Sequence, residues 1–243
     1  MNDIEFQKFL YLSSVPLVQL DEKLSPIATA SGCLIDYVGK RVLLTVSHAT
    51  RNQGNWTIPL RYIPGNGIDT YQLGSMYFLA EGSLLNPNLK DIDFSYVVVS
   101  SDLCAYRQEI EMSSGVRTVK SEKAIKIHSP NLKEIPNSED KYGFCGIIMS
   151  EVEIHPGQII LDGKPYIYPG LSFRRTEDDY HFFALPFSHL GHEYFEGCSG
   201  APIFSSSGSL VALVCGGCKK TNEICGISIS ALKIQIDILV GNI

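Results

Sequence analysis

The sequence predicts an all-β protein, a barrel or sandwich of about a dozen short antiparallel strands with a short helix at each end. Three observations carry this. Short apolar runs rich in Val, Ile, Tyr and Phe recur along most of the chain, clusters of Gly, Pro, Asn and Asp separate them, and helical spacing of apolar residues is confined to the two termini.

The elements follow in order. Residues 3–13 carry Ile4, Phe6, Phe9, Leu10 and Leu12, an imperfect pattern that still predicts a short helix. "ATASGCLIDYVGKRVLLTVSHAT" predicts two strands joined through a "YVGKR" hairpin. "WTIPLRYI", "TYQLGSMYFLA" and "DFSYVVVS" are further strands, set apart by "PGNGID" and "NPNLKD". "SSDLCAYRQEIEMSSG" is polar and predicted to be strand-poor, a linker between two series of strands. The second series is "GVRTVKSEKAIKI", "YGFCGIIMSEVEI", "GQIILDG", "DYHFFALPF", "GAPIFS", "SLVALVCGG" and "ICGISIS". Leu232, Ile236 and Leu239 are then spaced for a C-terminal amphipathic helix.

Composition narrows the function. At 243 residues the chain can bury a full core. Its net charge of −6, with 20 Lys and Arg against 26 Asp and Glu and no basic run, excludes a nucleic-acid groove and a polybasic membrane anchor. The expected partner is a protein or peptide. The N-terminus has no positive region or cleavage site of a signal peptide, and no apolar run reaches the roughly 20 residues of a membrane span, so a cytoplasmic protein is expected. Seven cysteines, odd in number and mostly inside apolar runs, read as reduced thiols. "CGGC" lacks a fourth ligand at zinc spacing, so neither a metal nor a cofactor is expected.

The chemistry is read from three strand boundaries. Amide cleavage by a hydroxyl needs a base to take its proton, an acid to orient that base, and fixed donors for the oxyanion. Ser199 in "GCSGAP" is the candidate nucleophile, and its flanking glycines allow a turn sharp enough to aim the N–H groups of Gly197 and Ser199 at one point. His48 closes the apolar run "RVLLTVSHAT", where a strand end presents a side chain at a barrel rim. "DIDFSYVVVS" supplies the acid. Asp93 is preferred over Asp91 because it leads directly into the continuous strand.

The ordered set "LLTVSHAT", "DFSYVVV" and "GCSGAPIF" resembles the His, Asp and Ser blocks of the chymotrypsin-like serine peptidases, including their intracellular, HtrA-like bacterial branch. The resemblance covers roughly residues 25 to 240. It implies two packed six-stranded antiparallel β-barrels with the site in the cleft, 1–110 carrying His48 and Asp93 and 111–243 carrying Ser199 and the C-terminal helix. It implies His48 as general base, Asp93 as orienting acid, Ser199 as nucleophile, and the Gly197 and Ser199 amides as oxyanion hole. Cys215, Gly216 and Gly217 would pair with substrate backbone as an added strand. Gly217 and Gly226 would wall the pocket for the residue before the scissile bond, and Glu193 would form its floor, implying a preference for Lys or Arg.

Two departures stand out. Cys198 takes the place of the aspartate that captures a cleaved N-terminus in secreted relatives, and no "IVGG"-like start exists, so activation by trimming is not expected. Narrow specificity or control by a regulatory or effector partner is expected instead. In viral cysteine relatives the cysteine replaces the serine between the glycines. Here Ser199 holds that place and Cys198 precedes it. The rival expectation is a catalytically silent peptide-binding or scaffold protein on the same fold.

Overall fold

The protein is described from a computed structural model covering residues 1–51, 54–83, 86–113, 116–155, 158–191 and 194–241. Helix α1 (Asp3–Ser13) opens the chain, closed at its N-terminus by a reciprocal capping box between Asn2 and Glu5. Seven strands follow: β1 (Val15–Leu20), β2 (Pro26–Tyr37), β3 (Lys40–Thr45), β4 (Asn55–Ile63), β5 (Gly67–Gln72), β6 (Tyr77–Ser83) and β7 (Asn86–Val99). A four-residue helix, α2 (Ser47–Thr50), interrupts them after β3. They form one seven-stranded sheet in the order β5-β4-β1-β2-β3-β7-β6.

A two-stranded hairpin, β8 (Tyr106–Ser113) with β9 (Val116–Ala124), leads to a closed barrel. Its six strands are β10 (Lys141–His155), β11 (Gln158–Glu177), β12 (Tyr180–Ala184), β13 (Pro202–Ser205), β14 (Leu210–Cys218) and β15 (Glu223–Ser228), ordered β10-β11-β12-β15-β14-β13. Helix α3 (Lys233–Val240) ends the described chain on Gly241, which takes the left-handed C-terminal position.

Strand β2 explains how the first sheet folds over. Residues 26–32 pair with β1 and residues 33–37 pair with β3, so one long strand belongs to two layers. Alternation along β2 and β3 then fills two cores. Cys33, Ile35, Val42 and Leu44 face the core shared with the barrel, whereas Leu34 and Leu43 face the inside of the first sheet. Both faces are buried, which is why "GCLI" and "VLLTV" read as unbroken apolar runs. The shared core also takes Phe6 and Leu10 from α1, Leu213 and Ile227 from the barrel, and Ile236 and Val240 from α3. A third core, with Phe144, Phe183, Ile203 and Val211, fills the barrel.

Several sequence expectations need correction. "TYQLGSMYFLA" is not one strand, because β5 ends at Gln72, β6 begins at Tyr77, and the two lie on opposite edges of the sheet. The segment 100–115 is not strand-poor. It holds β8, a ladder of charged and polar residues exposed enough to need no apolar face, and the division at 110/111 falls inside it. Strand β1 carries no alternation that sets it apart from the helix before it. Among the described residues, no helix is long and apolar enough to cross a membrane.

Candidate active site

The site lies where the end of β3, the middle of β7 and the loop before β13 meet. Strand β3 stops at Thr45 and the chain turns into α2, which holds the His48 ring at the edge of the sheet. Its Nδ1 is 2.7 Å from Asp93 Oδ2 and its Nε2 is 2.9 Å from Ser199 Oγ. The three residues, separated by 45 and 151 positions, form one continuous hydrogen-bonded chain.

Asp93 is held from several directions. Its Oδ1 accepts the His48 backbone N–H at 2.9 Å and the Ser47 hydroxyl at 3.1 Å. Burial pushes this carboxyl upward, but hydrogen bonds from the His48 ring and backbone, its charge, and the Cys215 thiol outweigh it, so the group stays below the usual carboxylate range. Tyr180 reaches from β12 to the Asp93 backbone, and burial raises its phenol to about 12. Asp91 takes no part. It lies 2.5 Å from Arg51 and both side chains are about half exposed, at 54% and 49%. The reason for preferring Asp93 needs revision, since both aspartates sit inside β7 rather than at its start.

The Ser199 loop is pinned by its backbone. Gly197 and Gly200 have φ of +86° and +85°, and a Cβ at either would stand 2.1 Å from a carbonyl oxygen, that of Ile147 or Ser31 respectively. Only glycine fits either position. Ser31 on β2 then ties the loop down, its N–H donating to the Ser199 carbonyl at 2.9 Å and its hydroxyl to the Gly197 carbonyl at 2.8 Å. Thr45, three residues before His48, donates to the Ser31 carbonyl at 2.7 Å. Gly200 N–H donates to Val214 at 2.8 Å, fixing the loop to β14. Among the described residues, no acceptor takes the N–H of Gly197 or Ser199.

Cys198 turns away from this chemistry. It is fully buried in the barrel core, burial drives its thiol far above the usual range, and a methyl on Gly146 would fall 2.2 Å from its sulfur.

The remaining sequence-predicted positions divide. Cys215 is a bulge in β14, and Gly216 and Gly217 pair with Cys225 and Ile224 of β15 on one side. On the other side the pairing with β13 ends at Leu213, so among the described residues 215–217 present an edge with no strand against it. Gly226 is not an open wall. A Cβ there would meet Ile203 at 2.8 Å and Ala212 at 3.0 Å, both in the barrel core. Glu193, like His192, lies outside the described residues. His189, given no role by its sequence spacing, lies over Gly217, where a Cβ would come 2.9 Å from its Nε2. Its Nδ1 accepts from Gly191 N–H at 3.2 Å and its ring packs on Phe195. Nothing in the sequence signals this, because the contact joins a loop to a strand nearly 30 residues on.

This geometry belongs to a known architecture. The fold is that of the chymotrypsin-like serine proteases. A human heparin binding protein superposes with a TM-score of 0.59 at 14% identity, over 98% of this chain and 94% of that one. A serine endoprotease from Yersinia pestis gives 0.58 at 10% identity, over 97% of this chain and 66% of that one. Neuropsin, a serine protease expressed in the limbic system of mouse brain, gives 0.53 at 11% identity, over 92% and 93%. No protein-family model and no curated protein matches the sequence. The fold is thus shared by proteins described as proteases and by one described as binding heparin.

Proposed function

We propose that this protein is a serine endopeptidase that cleaves protein substrates through an acyl-enzyme. The observation that carries this is the unbroken chain from Asp93 Oδ2 through both nitrogens of His48 to Ser199 Oγ, at 2.7 and 2.9 Å. With Asp93 ionised, Nδ1 keeps its proton and Nε2 presents a lone pair to the hydroxyl. Ser199 Oγ attacks the peptide carbonyl carbon as its proton passes to Nε2. The oxyanion accepts hydrogen bonds from the Gly197 and Ser199 amides. The same proton then goes to the leaving amine, the C–N bond breaks, and a water activated by Nε2 hydrolyses the ester.

Substrate backbone would add to the open edge at Cys215, Gly216 and Gly217 as an extra strand. A preference for Lys or Arg rests on Glu193 and the sequence resemblance alone. Control by a regulatory partner, a cytoplasmic setting and kinship with the HtrA-like branch belong to the same reading. Its support for control is Cys198, a buried cysteine at the place where the resemblance puts the aspartate that captures a cleaved N-terminus.

The second reading, a silent binding protein, is favoured by the heparin binding protein of the same fold. A fluorophosphonate probe separates the two. Labelling of the wild type but of neither Ser199→Ala nor His48→Ala is the expected result, with peptidase activity lower in each variant by on the order of 10⁶. An unlabelled, folded wild type would sink the peptidase reading.

A further inference from the structure

Beside the Gly197 loop the sheet carries a groove. Its first hollow, about 230 Å³, is bounded by Thr29, Val18, Pro59 and Ile147, with Arg61 and Arg107 in its lining. Thr29 and Ile147 are the two residues that crowd Gly197. The hollow therefore begins beside the oxyanion loop. A second, of about 240 Å³, shares Val18, Pro59 and Ile68 with the first and extends to Leu24. Register makes the two continuous: Val18 lies opposite Thr29 on one side and Thr57 on the other, and Pro59 lies opposite Thr70. The groove thus crosses β2, β1, β4 and β5, three strand spacings or roughly 14 Å, the length of about four residues of extended peptide.

Its charge is opposite in sign to that of the chain as a whole, which is −6. Among the described residues, the lining of the first hollow holds two guanidinium groups and no carboxylate. Arg61 rests over the Tyr106 ring at 5.9 Å, and Arg107 donates to the carbonyls of Tyr11 and Ser14 at 3.3 and 2.9 Å. Asp69 is the register partner of Arg61 on β5, but no ion pair joins them among the described residues. Glu122, on the neighbouring hairpin, is hydrogen-bonded to Gln108. The outer end is apolar, with Ile68 46% and Leu24 71% exposed.

We infer that this groove binds the leaving-group half of the substrate, as an extended segment with an acidic side chain within its first four residues and an apolar one beyond. The inference rests on the peptidase reading for its direction. A substrate laid along 215–217 passes Ser199 and continues beside Gly197 toward Thr29. A carboxylate arriving there meets Arg61 and Arg107 in a partly dry hollow, where charge-assisted bonds are strongest.

The test is digestion of a proteome-derived peptide library by the full chain, followed by sequencing of the new N-termini. Asp and Glu should be enriched within the first four residues, and Arg61→Glu should abolish this and enrich Lys and Arg instead. Cleavage with no acidic enrichment would overturn the groove while leaving the peptidase reading intact. If no peptide is cleaved, fluorescence anisotropy on Ser199→Ala decides. A labelled nonapeptide of alternating Val and Glu should bind about tenfold tighter than its Val and Gln counterpart. Adding Arg61→Glu should reverse the preference toward a Val and Lys peptide, a gain that a misfolded variant cannot give. Binding in that order upholds the groove without the peptidase reading; equal binding of the three peptides overturns it.

Discussion

The two halves of the Asp93–His48–Ser199 chain are built on opposite terms. His48 stands at the edge of an open sheet on a four-residue helix, with its side chain 46% exposed. Ser199 sits in a loop that two crowded glycines, Ser31 and Val214 hold by its backbone against a closed barrel. The difference matches the work proposed for each. A base that takes and returns a proton needs water within reach, whereas an oxyanion hole acts through donors that do not move. The first half relies on side-chain hydrogen bonds, the second on backbone shape.

Substitutions should therefore act on chemistry in the first half and on stability in the second. After the loss of Ser199 or His48 themselves, the largest effect is expected from Asp93→Asn, which keeps the shape but disturbs the tautomer of His48. It should lower kcat by on the order of 10⁴ with the unfolding midpoint little changed. Asp91→Asn, which touches only the exposed pair with Arg51, should leave kcat within about threefold. Equal losses in the two variants would contradict the assignment of Asp93.

Gly200→Ala should show the reverse pattern. Its methyl would stand 2.1 Å from the Ser31 carbonyl at a φ of +85°. A cost of roughly 3 kcal/mol or more is expected, lowering Tm by about 6 °C or more, as calorimetry would measure. An unshifted Tm would mean the loop is held less firmly than its contacts imply.

The barrel has a pH response of its own. His181 is 2% exposed among Phe173 and Phe183, its Nδ1 meets Thr176 at 2.9 Å, and its buried Nε2 finds no partner among the described residues. Burial lowers it to about 4, against 6.5 in an unfolded chain. The folded state thus prefers neutral imidazole. Its stability is full above pH 6.5 and is lost as pH falls toward 4, by roughly 3 kcal/mol. Urea midpoints should fall across that window and fall less in His181→Leu. The smallest effect on stability is expected of Ser31→Ala, which removes one bond to the Gly197 carbonyl and should cost about 1 kcal/mol in denaturant unfolding.

His48 and Ser199 were legible in the sequence because each follows or interrupts an apolar run whose period cannot continue through it. Asp93 was legible only in part. Two aspartates two places apart lie in one strand, and what separates them is Arg51, a neighbour in space. Strand β9 was legible as "GVRTVKSEKAIKI", but its partner β8 was not, because its charged and polar side chains make no apolar run. The lid that His189 forms over Gly217 escaped because it joins two elements whose meeting depends on barrel closure. The closed barrel and the shared core, by contrast, follow from strands buried on both faces.

Strand β2 gives the whole arrangement a common ruler. Ser31 on it fixes Ser199, and from Cys33 onward it fixes β3, at whose end His48 begins. The spacing between base and nucleophile is therefore counted out in residues of a single strand, although the two groups belong to different halves. Inserting or deleting one residue between Ser31 and Cys33 would leave both ladders free to form, yet offset one half against the other by one residue's rise, about 3.3 Å. The calibration of the proposed site would be lost while each part remained intact.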